Sequence, residues 1–117
     1  MNKFGFFLLA VGCSTLLWAK PLTQAEYKAE VKRQYNEIEN KQAILSRALD
    51  EKEHPTSLVR KACDYSISLK TLKQFSKNNL HLAEAKDELK FMTELDQHFD
   101  QSLADLGATF DKDCKKS

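Results

Sequence analysis

Glycine is nearly missing from this 117-residue chain: there are three, and two of them, Gly5 and Gly12, fall in the first dozen residues. Only Gly107 is left for everything that follows. That excludes a phosphate-cradling loop, a dinucleotide fingerprint and a Gly-x-Ser-x-Gly nucleophile elbow, each of which needs glycine where the backbone turns sharply or approaches a ligand. Proline is as scarce, with Pro21 and Pro55 alone, so little interrupts long helices. Charge of one sign is lacking too. Eighteen Lys and Arg against seventeen Asp and Glu leave +1, no field to draw in nucleic acid or an anionic membrane. No two cysteines stand in a Cys-x-x-Cys spacing, which removes the usual redox and metal motifs.

What is present begins with an export signal. Met1 to Lys3 supplies a short cationic start, Phe4 to Ala19 carries no charge, and Lys20-Pro21 opens a polar sequence; this is the order of a secretory signal peptide. Sixteen residues at helical rise span only about 24 Å of a roughly 30 Å hydrocarbon core, too short for a permanent membrane helix. Leu17-Trp18-Ala19 offers cleavage after Ala19, giving a signal peptide over 1–19 and a domain over 20–117. A competing site is Ala10-Val11-Gly12-Cys13, which resembles a bacterial lipobox and would place a lipid on Cys13. Against it stands the apolar run from Ser14 to Ala19, where a lipoprotein begins a polar tether. The expected location is periplasmic or secreted, with anchoring by lipid to a bacterial envelope membrane as the alternative.

The remaining chain reads as three helices. Thr23 and Glu26 make a capping box, and Val31, Tyr35, Ile38, Gln42, Leu45 and Leu49 follow a four-three alternation that keeps one seam along a helix. A helix over about 24–53 results, stopped by His54-Pro55, because proline disfavours helical geometry in the residue before it. Thr56 or Ser57 can cap a second helix, about 57–77, with a seam of Leu58, Ala62, Tyr65, Leu69, Leu72 and Ser76. Asn78-Asn79 marks a turn, asparagine tolerating the left-handed conformation that ends helices. The third helix, about 80–106, has the seam Leu82, Ala85, Leu89, Met92, Leu95, Phe99, Leu103 and Leu106, with Gly107 as its C-terminal cap and 108–117 as a tail.

Short turns make consecutive helices antiparallel neighbours, so the expected fold is all-α: an antiparallel up-down-up three-helix bundle. Its rival is a long two-helix coiled-coil hairpin in which the second and third helices run on as one rod and pair with a second copy. Cysteine decides between them. Setting Cys13 aside, Cys63 and Cys114 are an even pair in an oxidising compartment and predict a disulfide. In the bundle, Cys63 sits at the end where the third helix finishes, within reach of a seven-residue tail of about 20 Å. In the rod it lies about 65 Å away. An intramolecular bridge therefore implies the bundle and a monomer.

Charge is unevenly spread. Residues 55–83 carry Arg60, Lys61, Lys70, Lys73 and Lys77 against Asp64, whereas 84–113 carry nine acidic residues against Lys86, Lys90 and Lys112. Neighbouring helices that complement each other explain this.

Candidates for chemistry are thin. Glu51 and His54 have the Glu-x-x-His spacing of di-iron bundles, which need two such motifs and two further inward glutamates; here there is one. Glu94 with His98, or His81 with Glu84, can chelate a metal at the surface, weakly. Met92 and His98 are the residue types that hold iron in exported haem bundles, yet they share one helix, and Met92 reads as core. No catalytic, metal or cofactor residues are expected. Tyr27 and Phe91 fall beside the seams and are the expected partner-facing aromatics. The resulting expectation is an exported, non-catalytic helical protein that binds another envelope or secreted protein, or serves as a structural or chaperone-like factor. A haem- or metal-carrying bundle and a small enzyme are the alternatives.

Overall fold

A computed structural model describes residues 21–115; the expected signal segment over 1–19, with Cys13, lies outside them. The described residues are all-helical, with three main helices: α1 (Gln24–Asp50), α2 (Pro55–Lys77) and α3 (Ala83–Asp105). A single π-helical turn, Phe110–Cys114, follows.

Local chemistry sets each boundary. At the start of α1, Glu26 N–H donates to Thr23 Oγ1 at 3.1 Å and Thr23 N–H donates to Glu26 Oε1 at 2.9 Å, the expected reciprocal box. The end of α1 comes earlier than predicted, at Asp50 rather than residue 53. Lys52 N–H bonds to Leu49 O and Glu53 N–H to Ala48 O, and Lys52 takes φ 54°. This is a Schellman closure with lysine where glycine is usual.

The cap of α2 is also different from the expectation. His54, not Thr56 or Ser57, is its N-cap: His54 Nδ1 accepts from Thr56 N–H at 3.1 Å, and Pro55 occupies the first turn, where its missing N–H costs nothing. Between α2 and α3 the chain does break at the asparagines, but not through a left-handed residue. Asn78 stays right-handed at φ −78°. Asn79 ends the helix instead by donating its side-chain amide to Phe75 O at 2.8 Å, and Leu82 N–H closes the following turn on Asn79 O. Those turns delay α3 to Ala83. At its far end Gly107, at φ 81°, closes a second Schellman pair, Gly107 N–H to Ala104 O and Ala108 N–H to Leu103 O.

The middle helix, α2, carries the packing. Its C-terminal end meets the start of α1, where Tyr27 stacks on Phe75 at 5.3 Å and its hydroxyl bonds with Ser76 Oγ at 2.9 Å. Farther back along α2, Tyr65 meets Phe99 of α3 edge-on at 4.7 Å, and Lys70 and Lys73 reach Asp96. The core is Ile38, Leu45, Ala62, Tyr65, Leu69, Leu72, Met92, Leu103 and Ala108, with Val31, Tyr35, Phe75, Leu95, Phe99, Phe110 and Cys114 against it.

On α1 the buried stripe is rotated from the predicted one. Tyr27, Gln34, Ile38, Leu45 and Ala48 are buried, while Gln42 is exposed and Leu49 is 45% exposed. The four-three alternation is real but starts at Tyr27. Tyr27, expected as a surface aromatic, is 2% exposed, because the burying face of α1 looks at α2. Links from α1 to α3 among the described residues are made near the starts of both helices, by Gln24 and Lys28 to Glu84 and by Tyr35 to Glu88 and Met92. Leu49, far beyond them, has no third helix over it.

Candidate functional site

The solvent-facing side of α2 forms the floor of a groove made of three depressions that share residues. The largest, about 690 Å³, is lined by Pro55, Val59, Arg60, Cys63, Asp64 and Ile67 of α2, with Asp113 and Cys114 across from them. A second, about 230 Å³, shares Asp64 and Ile67 and is walled by Arg33, Gln34, Glu37 and Lys41 of α1. The third, about 450 Å³, shares Gln34, Ile67 and Thr71 and runs on to Gln74, Asn78 and Phe110. Ile67 lines all three and is 45% exposed. From Pro55 to Asn78 the floor is roughly 35 Å long at helical rise.

Helical periodicity places Ile67 on the floor: two residues after the buried Tyr65, it points to the opposite side of α2. An apolar side chain off the predicted seam is its signal in the sequence. The flanking charges are largely paired. Arg33 holds Glu30 through two contacts, 2.9 and 2.6 Å; those hydrogen bonds, with that from Gln34, pull the Glu30 carboxyl down to about 2. Gln34 is buried, its amide nitrogen donating to Glu30 at 2.9 Å, while its Oε1 has no hydrogen-bond partner among the described residues.

One wall is built from the C terminus. Cys63 and Cys114 are paired as a disulfide, with Cα atoms 5.2 Å apart. The predicted pair is thus brought together. Phe110 lies under the ammonium of Lys70, 4.4 Å from the ring centroid, a cation–π contact. Lys70 also reaches Asp96 at 2.5 Å and Asp100 at 3.1 Å, and Lys73 reaches the other Asp96 oxygen at 3.0 Å. Asp96 is 3% exposed. The basic excess of α2 therefore answers the acidic excess of α3, as the charge distribution implied.

The remaining sequence candidates are scattered. Phe91 is 53% exposed on α3, whereas Tyr27 is buried, its hydroxyl held by Ser76, and desolvation raises its pKa. His54 Nδ1 is occupied as a helix cap. A ring nitrogen of His81 bonds with Leu22 O at 3.0 Å while Glu84 is engaged by Gln24 and Lys28. Met92 is fully buried and His98 is exposed, so the two do not converge. Among the described residues no three His, Cys, Asp or Glu side chains are grouped to hold a metal ion, and no helix is long and apolar enough to cross a membrane. Comparison with protein-family models, curated proteins and solved structures finds nothing that matches this chain.

Proposed function

We propose that the chain is an exported, non-catalytic helical protein, an up-down-up three-helix bundle, that acts by binding another protein of the envelope or the secreted space. The observation that carries this reading is a half-exposed isoleucine, Ile67, on the floor of a groove as long as a helix. An apolar side chain left in water at the centre of a concave, otherwise polar strip is covered favourably by a partner's apolar side chain. The partner of matching chemistry is an amphipathic helix that lays one small apolar residue on Ile67 and polar residues on Thr71, Gln74 and Arg60. Export rests on the order of residues 1–19 and agrees with the paired cysteines.

Site-specific photo-crosslinking in the exporting cell tests the reading. A crosslinker at Asp64 or Thr71 is expected to give one discrete adduct, lost in the Ile67→Glu background, with none from Lys90 on α3. Equal labelling from Lys90, no adduct at all, or an adduct indifferent to Ile67→Glu would each refute it.

A further inference from the structure

Beyond Gly107 the tail expected to reach back to Cys63 does so as a wound turn. Gly107 turns it back, Ala108 is buried, and residues 110–114 wind one turn whose start is doubly fixed: Thr109 N–H donates to Asp113 Oδ2 at 2.9 Å and Lys112 N–H donates to Thr109 Oγ1 at 3.2 Å. The turn packs on α2. Its attachments are Ala108 in the core, Phe110 and Cys114 packed half-buried against it, the Lys70 ammonium over Phe110, and the Cys63–Cys114 bond. Only the last is covalent.

Two features separate this bond from a buried staple. First, it borders a depression of about 690 Å³ lined by both cysteines; Cys114 is part exposed and Cys63 is 7% exposed. Second, the turn lies at the edge of the core: eight of the nine buried core residues belong to α1, α2 and α3, Ala108 is the ninth, and Phe110 and Cys114 pack against them while staying only half-buried. Lys70 likewise keeps Asp96 and Asp100 if Phe110 departs.

We propose that residues 109–115 are a redox-released strap: a dithiol reductant opens the Cys63–Cys114 bond from the groove side, and the strap leaves α2 while Ala108 and the three helices remain folded. A thiolate of the reductant attacks Cys114 Sγ, the sulfur of the more exposed residue, forming a mixed disulfide as the Cys114–Cys63 bond breaks. Cys63 departs as a thiolate beside Arg60 and takes a proton from solvent. The reductant's second thiolate then attacks its own sulfur in the mixed disulfide, releasing the Cys114 thiolate, which is protonated in turn. The strap gains two electrons and two protons, and the dithiol ends as a disulfide. One wall of the groove, Phe110 with Asp113 and Cys114, is removed. This inference stands whatever occupies the groove.

The test uses the chain from Lys20 to Ser117, oxidised, with dithiothreitol as the probe, followed by alkylation mass, far-ultraviolet circular dichroism and amide hydrogen exchange. Reduction is expected to go to completion in native buffer with the helical signal retained. Amides of 110–115 should lose protection by at least about tenfold while those of Leu69 and Leu72 keep theirs. Cys114→Ser and Cys63→Ala should each reproduce the reduced pattern without reductant. Resistance of the bond until denaturant is added overturns the proposal, as does loss of helix on reduction, or a C-terminal turn that stays protected once the thiols are free.

Discussion

Lys52→Gly should stabilise the protein, and Gly107→Ala should destabilise it, although neither change removes a packing contact. Both residues hold the same position in a Schellman closure, at φ 54° and 81°. A residue with a Cβ pays about 1–2 kcal/mol for the left-handed conformation, while glycine pays about 0.5–1 kcal/mol through its looser unfolded chain. Subtracting one from the other predicts a gain of roughly 0.5–1 kcal/mol for Lys52→Gly and a loss of similar size for Gly107→Ala. Sterics do not confuse the second change, because a Cβ built at Gly107 meets nothing within 4 Å. For a domain of this size, 1 kcal/mol moves the thermal midpoint by about 4–8 °C, so the two variants should bracket the parent by several degrees in calorimetry under oxidising conditions. Shifts of the same sign, or a Lys52→Gly variant that melts below the parent, would refute the assignment of left-handed strain to Lys52.

Three further outcomes follow from the buried polar and ionisable groups. Asp96→Ala should cost roughly 2 kcal/mol in urea denaturation, below the 3–5 expected for breaking a buried pair, because Lys70 and Lys73 are part exposed and can extend to water. Tyr27, Tyr35 and Tyr65, all the tyrosines of the chain, have raised pKa values: desolvation leads in each, and in Tyr35 the hydrogen bond to Glu88 adds to it. Folded-state protons are thus held more tightly than unfolded ones above pH 10, stability falls with rising pH there, and tyrosinate absorbance should appear together with loss of helix rather than before it. Glu30 should titrate near 2 by carbon-13 NMR and return toward 4.5 in Arg33→Gln. Its contribution is full above the unfolded value and lost as pH falls from about 4.5 to 2.

The parts of this fold that could be read from sequence are those in which one helix answers to one direction. On α2 the predicted seam of Leu58, Ala62, Tyr65, Leu69, Leu72 and Ser76 is buried from Ala62 onward, with Leu58 half-buried, because the middle helix has neighbours on both sides and its apolar face points between them. An edge helix is less legible. Val31 and Tyr35 turn toward α3 near the start of α1, whereas Gln34, Lys41 and Ala48 turn toward α2, and the alternation fits either set. Composition favoured the set with Leu49; packing chose the set with Gln34 and Ala48. Asp96 was missed for a related reason, since a carboxylate on a helix is ordinarily solvated. Lys70 and Lys73 on the preceding helix were the signal that this one has partners.

The cysteine pair and the groove differ in kind. Joining Cys63 to Cys114 required only chain lengths: how far a seven-residue segment reaches past Gly107, and which end of the second helix it meets. Those quantities follow from rise per residue and hold whatever the side chains do. The groove depends on where the reaching segment comes to rest, and that was set by details with no periodicity, the burial of Ala108, the Thr109–Asp113 cap and Phe110 beneath Lys70. Once the C-terminal turn lies there, the outer side of α2 ceases to be an ordinary helix surface and becomes a floor between two walls. Ile67 then changes meaning. As a lone exposed apolar residue it would need no explanation; at the meeting point of three depressions, one of them lined by Cys63 and Cys114, it is the residue whose substitution should separate the proposed binding from folding.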